Sequence, residues 1–208
     1  ENTLSAFAKA KTFDCQMIEL DVRLSKDGVV IVHHDENLSR CTDIQTRNPE
    51  RSHDNIWEFT FSELQAFDAG SWYLAELELP STERQTFLQN LTDFEIAEYV
   101  SDSDKRLYGS GQVKIPALAE TLELVNKLGL MINIELKSPC QDPQGLITGV
   151  LAMIHEKNLT KQVIISSFDH NYLKLVRKHD KTVAIAVLAD PLVAQPMTLL
   201  RQLKSNTF

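Results

Sequence analysis

From Pro116 onward the chain alternates short apolar runs with longer stretches of helical spacing, and no other feature limits its fold as much. The periodicity predicts helices over 117–128, 145–157, 171–178 and 191–204, and strands over 130–136, 162–166 and 182–188. Strands separated by helices of this length pair in parallel through right-handed crossovers. Met131-Ile132-Asn133-Ile134 and Val163-Ile164-Ile165 are nearly continuous in apolar character, as strands covered on both faces should be. An open doubly wound sheet and a closed barrel both satisfy this rhythm. The open sheet expects a glycine-rich phosphate loop after its first strand, and neither G-x-G-x-x-G nor a Walker sequence is present. Polar residues gather instead at the C-terminal ends of several strands, the habit of a (β/α)8 barrel. The expected fold class is therefore α/β, a TIM-type (β/α)8 barrel.

Upstream, a helix is expected over 3–12, with Asn2 or Thr3 as its cap. In the strand expected over 17–24, Ile18, Leu20, Val22 and Leu24 alternate with Glu19, Asp21 and Arg23. The turn Lys26-Asp27-Gly28 leads into a second strand over 29–32, too soon for a helical crossover, and that strand runs into His33-His34-Asp35. Residues 36–56 read as a surface loop and 61–67 as a short helix. Residues 74–112 are charged, weakly periodic and end in Gly109-Ser110-Gly111, so they are expected to be an insertion within a single domain over 1–208.

Composition narrows the partners. With 21 Lys plus Arg against 29 Asp plus Glu, the net charge of -8 repels nucleic acid and polyanionic membrane surfaces, while a small anion held locally stays compatible. No apolar run approaches the roughly 18 residues of a membrane span. Cys15, Cys41 and Cys140 form no C-x-x-C pair and no disulfide framework, which suits a reducing, cytoplasmic compartment. The chain opens at Glu1 and not at Met, so it is expected to be an interior piece of a longer chain, and an export signal stays open. Oligomeric state is not legible.

Glu19 and Asp21 lie two apart on a strand, so both carboxylates point to one face. Adjacent carboxylates repel unless a cation separates them, and hard ions such as Mg2+ or Ca2+ prefer oxygen ligands. An isolated E-x-D is more often a solvated strand face. A second buried strand, however, carries Glu135 and Lys137 near its C-terminal end, where charge is costly unless paired or liganded. A plain Glu135–Lys137 ion pair is the alternative reading there. His33-His34-Asp35 adds imidazoles at a third strand end, and by alternation one of the two faces the site.

Taken in order, Glu1-Asn2-Thr3, Glu19-Leu20-Asp21-Val22, Lys26-Asp27-Gly28, His34-Asp35 with Leu38 and Arg40, Asp68-Ala69-Gly70-Ser71-Trp72, Ile115-Pro116, Glu135-Leu136-Lys137 and Ser167-Phe168 resemble the glycerophosphodiester phosphodiesterase family. The resemblance runs from Glu1 to about Asp169. It implies a barrel of the phospholipase-C-like phosphodiesterase kind that hydrolyses small glycerophosphodiesters to glycerol 3-phosphate and an alcohol with one divalent cation, Mg2+ or Ca2+. By the same resemblance Glu19, Asp21 and Glu135 are metal ligands, His34 is one of two catalytic histidines, Lys137 contacts phosphate and Phe168 lines the glycerol end of the pocket, while His33 is structural. The family's first histidine lies in a His-Arg-Gly segment ahead of the Glu-Asn-Thr motif, and its last two strands follow the matched region. Neither is in this sequence, so a barrel truncated at both ends is expected, short of the roughly 250 residues of a full one. On that expectation the 208 residues alone are inactive and only marginally stable. A non-catalytic, degenerate barrel that binds a phosphate ligand is the alternative. A glycoside hydrolase using Glu135 and Glu19 is a third reading, weakened by the extra acid, the lysine and the histidine.

Overall fold

A computed structural model describes residues 1–189 and 196–206. In chain order it contains α1 (Leu4–Thr12), β1 (Met17–Leu24), β2 (Val30–Val32), α2 (Ile44–Arg47), α3 (Phe61–Leu64), α4 (Ser71–Glu78), α5 (Asp93–Tyr99) and α6 (Asp102–Tyr108). There follow α7 (Leu118–Leu128), β3 (Met131–Leu136), α8 (Pro143–Glu156), β4 (Val163–Ser167), α9 (His170–His179), β5 (Ala184–Val187) and α10 (Pro196–Leu203). Among the described residues no helix is long and apolar enough to cross a membrane. The chain divides into two compact units, one of Asn2–His34, Ile56–Phe61 and Pro116–Phe208, the other of Glu1, Asp35–Asn55 and Ser62–Ile115.

The first unit is built on a five-stranded sheet in the order β2-β1-β3-β4-β5. β1, β3, β4 and β5 run parallel, joined by α7, α8 and α9, as the alternation requires. Among the described strands only β2 is antiparallel, pairing Val32 with Val22 and Val30 with Leu24. Gly28 makes that hairpin possible with a φ of 78°, a left-handed value that a side chain would strain. Ser25 and Asp27 secure the turn, the Ser25 hydroxyl donating to Asp27 Oδ1 at 2.6 Å.

One face of the sheet is apolar. Leu20, Val22, Ile132, Ile134 and Ile165 pack against Leu122 and Val125 of α7, Ile147 and Val150 of α8, and Leu173 and Val176 of α9, all buried. Each such side chain removed from water contributes about 1.5–3 kcal/mol, which fixes the register and leaves Glu19 and Asp21 on the other face. Among the described residues the sheet is open, with β2 and β5 at its edges.

The second unit holds α2, α4, α5 and α6. Buried Arg84 organises it, its guanidinium donating to the carbonyls of Leu79 at 2.9 Å, Leu91 at 2.9 Å and Leu77 at 3.2 Å. Gly70 is a packing requirement, because a Cβ there would lie 2.7 Å from the Tyr108 carbonyl and 2.9 Å from Val113 Cβ. Capping boxes at Thr92 and Ser101 start α5 and α6.

Two local expectations are corrected, and part of a third lies outside the described residues. The 36–56 segment is not plain loop, since it carries α2 and a 3-10 turn at Pro49–Arg51. The helix expected over 61–67 stops at Leu64. Of the helix expected over 191–204, Pro196–Leu203 are helical, and residues 191–195 lie outside the described residues.

Candidate active site

Glu19, Asp21 and Arg23 share one face of β1 because alternate residues of a strand point the same way. β3 lies alongside in parallel register, Glu19 opposite Asn133 and Asp21 opposite Glu135, and Ser166 of β4 continues the second row. Carboxylate oxygens of Glu19, Asp21 and Glu135 all lie within 4.8 Å of one another. Lys137 follows β3 and reaches back, its Nζ 2.8 Å from Glu135 Oε1 and 3.4 Å from Asp21 Oδ1. The ion pair foreseen as an alternative is thus present, within a cluster of three acids and one cation.

The charge imbalance has a measurable consequence. Burial, then the charges of Asp21 and Glu135, push the Glu19 carboxyl up to about 7, with Lys137 and His34 opposing them. A lone ammonium does not neutralise three carboxylates, and a hard divalent cation suits the all-oxygen donor set. Glu19, Asp21 and Glu135 therefore fit such an ion by donor chemistry and spacing. Two buried polar atoms beside them, Asn133 Oδ1 and Ser166 Oγ, have no hydrogen-bond partner among the described residues. Apolar residues in those places would spare the cost of about 1–3 kcal/mol each, so this face is shaped by something other than packing.

Two residues near the acids were missed in the sequence. Asn2 braces Asp21 from both sides, its Nδ2 donating to Asp21 Oδ2 at 2.8 Å and its Oδ1 accepting from the Asp21 backbone N–H at 3.2 Å. Its φ of 53° is left-handed, a conformation asparagine tolerates better than most residues, while Thr3 caps α1. The readable signal was Asn2 in the Glu1-Asn2-Thr3 motif. Arg23 is buried at 5% exposure and donates from Nε to the His34 carbonyl at 2.9 Å and from Nη1 to the Pro139 carbonyl at 3.4 Å. Alternation placed Arg23 on the acidic face without revealing that it anchors the end of β2.

The backbone N–H of His33 donates to the Asp21 carbonyl at 3.0 Å, so the two histidines leave β2 beside the end of β1. His33 is buried and His34 exposed, and the His34 charge is felt at Glu19. Phe168 follows β4 directly and is 56% exposed, while Ser167 before it is tied to the Leu136 carbonyl at 2.8 Å. The expected residues Glu19, Asp21 and Glu135 are clustered, Lys137 pairs with Asp21 and Glu135, and His34 and Phe168 lie at neighbouring strand ends.

Comparison with known proteins adds an independent line. Residues 1–205 match the model of the glycerophosphoryl diester phosphodiesterase family. A glycerophosphodiester phosphodiesterase of Bacillus altitudinis is 30% identical over 100% of this chain and 69% of its own length. Another, from Caldanaerobacter subterraneus, is 30% identical over 90% of this chain and 60% of its own. The fold is shared with a phosphodiesterase of Oleispira antarctica solved in complex with the product sn-glycerol-3-phosphate, at a TM-score of 0.74 and 24% identity, covering 99% of this chain and 67% of that one. The chain thus spans between 60% and 69% of these relatives.

Proposed function

The chain belongs to the glycerophosphoryl diester phosphodiesterase family, one of phosphoric diester hydrolases, and on that premise we propose that it hydrolyses a small glycerophosphodiester to glycerol 3-phosphate and an alcohol at the ends of β1 and β3. The observation that supports this most directly is the cluster of Glu19, Asp21 and Glu135 within 4.8 Å of one another, with Lys137 against it.

In the reaction water adds its oxygen to phosphorus, the P–O bond to the alcohol breaks, and a proton passes to the departing oxygen. Glu19, Asp21 and Glu135 would hold a divalent cation, Mg2+ or Ca2+, which would supply Lewis-acid stabilisation of the phosphoryl charge. Lys137 offers a further positive charge to the phosphoryl group, having three donors and only two carboxylates to satisfy. His34 holds or delivers a proton at the end of β2. Phe168 gives the glycerol backbone an apolar wall. Asn2 and Arg23 act through others, one fixing the Asp21 carboxylate and the other the backbone of His34.

A sugar hydrolase is less compatible with this geometry. Its mechanism needs two carboxyl groups around a sugar, whereas here a third acid, Asp21, shares the cluster with Glu19 and Glu135, and Lys137 pairs with both Asp21 and Glu135.

The test is a coupled assay of glycerol 3-phosphate released from glycerophosphocholine by the full-length protein that carries this chain, with and without chelator. Release that stops on chelation and returns with Mg2+ or Ca2+ is expected. Turnover indifferent to chelation removes the cation from the proposal, and release of phosphocholine instead overturns the choice of bond.

A further inference from the structure

At the opposite edge of the parallel sheet, far from the strand ends that carry the acids, lies a concavity of about 440 Å³ where α9, the start of β5 and the end of α10 meet. Its lining includes Lys174 and Lys178 of α9, Lys181 of the following turn and Lys204 beyond α10, and it contains no carboxylate. On a chain of net charge -8 such a cation-only hollow stands out, because like charges in a cleft focus the field toward solvent.

The local acid is turned away. Both oxygens of Asp180 are taken up, one by the backbone N–H and hydroxyl of Thr182 and the N–H of Val183, the other by His155. Arg177, the fifth basic residue, is a scaffold and not a free cation. Its Nε donates to the Lys204 carbonyl at 3.2 Å, its Nη1 to the Val183 carbonyl at 2.6 Å and its Nη2 to Asn206 Oδ1 at 2.8 Å. Those bonds remove acceptors from the hollow. They also fix the backbone of Lys204, held at a φ of 52°. Asn206 Oδ1 also accepts from the Ile185 N–H at 3.0 Å, which leaves its amide as a donor.

A helix C-terminus attracts basic side chains, and that accounts for Lys178. It does not account for Lys174 one turn earlier, a like-charge neighbour at i, i+4 that disfavours the helix, nor for Lys181 and Lys204 from two other segments. Among the described residues the ammonium groups of Lys178, Lys181 and Lys204 make no hydrogen bond or ion pair.

We propose that this hollow is a second, non-catalytic site for a phosphoryl group, gripped by Lys178, Lys181 and Lys204 on a frame set by Arg177. Lysine suits such a ligand as a mobile point charge, and several converge where one would be screened. The phosphoryl group comes either from a soluble phosphate or from a lipid headgroup. Neither source can touch the reacting atoms from this edge of the sheet.

The experiment is lysine labelling of the full chain with acetic anhydride, read residue by residue by peptide mass spectrometry. Inorganic phosphate is compared with chloride at equal ionic strength, and phosphatidylglycerol vesicles with phosphatidylcholine vesicles. Lys178, Lys181 and Lys204 are expected to slow together by about threefold in phosphate or on phosphatidylglycerol vesicles. Protection by phosphate in solution marks a soluble ligand, and protection on the anionic vesicles alone marks a headgroup. A double variant, Lys181→Glu with Lys204→Glu, should lose the protection at Lys178 while keeping the thermal midpoint and turnover of glycerophosphocholine. Lys137 in the same digest reports the catalytic pocket separately. Equal protection by chloride, or none under any condition, overturns the site.

Discussion

At Glu19 burial and neighbouring charge act together, and they give it a pH dependence of stability near neutrality. Its carboxyl ionises at about 7 in the fold against the ordinary 4.5, so the folded protein holds a proton that the unfolded chain has released. Stability therefore falls as pH rises from about 4.5 to about 7 and stays at its lower level above that. Glu19 is only partly buried, and solvent screening leaves about 1 kcal/mol of effect. Glu19→Gln should accordingly match the parent in thermal midpoint at pH 5 and exceed it at pH 8 when both are in chelator. A variant that gains nothing at pH 8 means that Glu19 is not strained by its neighbours. Cation affinity of the parent should rise over the same interval, because the ligand must be ionised. At Glu135 and His34 the expectations separate by chemistry. Glu135→Gln keeps the volume but loses a charge that a divalent ion needs, whereas His34→Ala keeps cation affinity and loses on the order of a hundredfold in rate. Calorimetric titration with Mg2+ beside the glycerol 3-phosphate assay distinguishes them, and loss of affinity in the histidine variant would reverse the assigned roles.

Among the elements, the join between α8, α9 and β5 depends on one carboxylate. Asp180 ends α9 at 6% exposure, accepts from Val183 N at 3.0 Å and Thr182 Oγ1 at 2.7 Å, and pairs with His155 of α8 at 2.6 Å. Despite its burial, the Thr182 and Val183 donors and His155 hold its pKa well below the usual carboxylate range. Asp180→Ala strands those donors and should cost about 2–3 kcal/mol, read as a lower urea midpoint at unchanged slope. A loss under 0.5 kcal/mol would put the join elsewhere. Elements of this unit were legible because each carries a periodic apolar face. The strand read over 17–24 is found at Met17–Leu24, and that read over 130–136 at Met131–Leu136. What escaped has no such face. α2 is four residues long, and α4, α5 and α6 contain no buried residue, so they show no apolar stripe. The starts of α5 and α6 are written in the capping sequences Thr92-x-x-Glu95 and Ser101-x-x-Asp104, which carry a local signal where periodicity carries none. In the candidate site the strand-borne acids followed from alternation. The brace from Asn2 depends on a left-handed φ and on a partner in another element, neither of which leaves a period in the sequence.

For the molecule as a whole, the two compact units differ in what holds them. The strands β1, β3 and β4 bury Leu20, Val22, Ile132, Ile134 and Ile165 completely and are hydrogen-bonded on both sides by neighbouring strands. α5 and α6 rest on two capping boxes and partly exposed side chains, with Phe94 at 76% and Leu107 at 43% exposure. A capping bond supplies about 1 kcal/mol, and an isolated helix of this length is marginal in water. These helices should therefore open without the sheet opening. Native-state hydrogen exchange at rising urea is expected to give amides of α5 and α6 opening free energies several kcal/mol below those of β3. The order within the second unit is also predicted. Amides around Arg84 should outlast those of α5 and α6, because its guanidinium ties three carbonyls of the Leu77–Leu91 stretch together at 5% exposure. Arg84→Met should erase that difference and leave the exchange of β1 and β3 unchanged. If α5, α6 and β3 instead exchange with one common free energy, the chain is a single cooperative system, and the weaker construction of the helices has no energetic consequence.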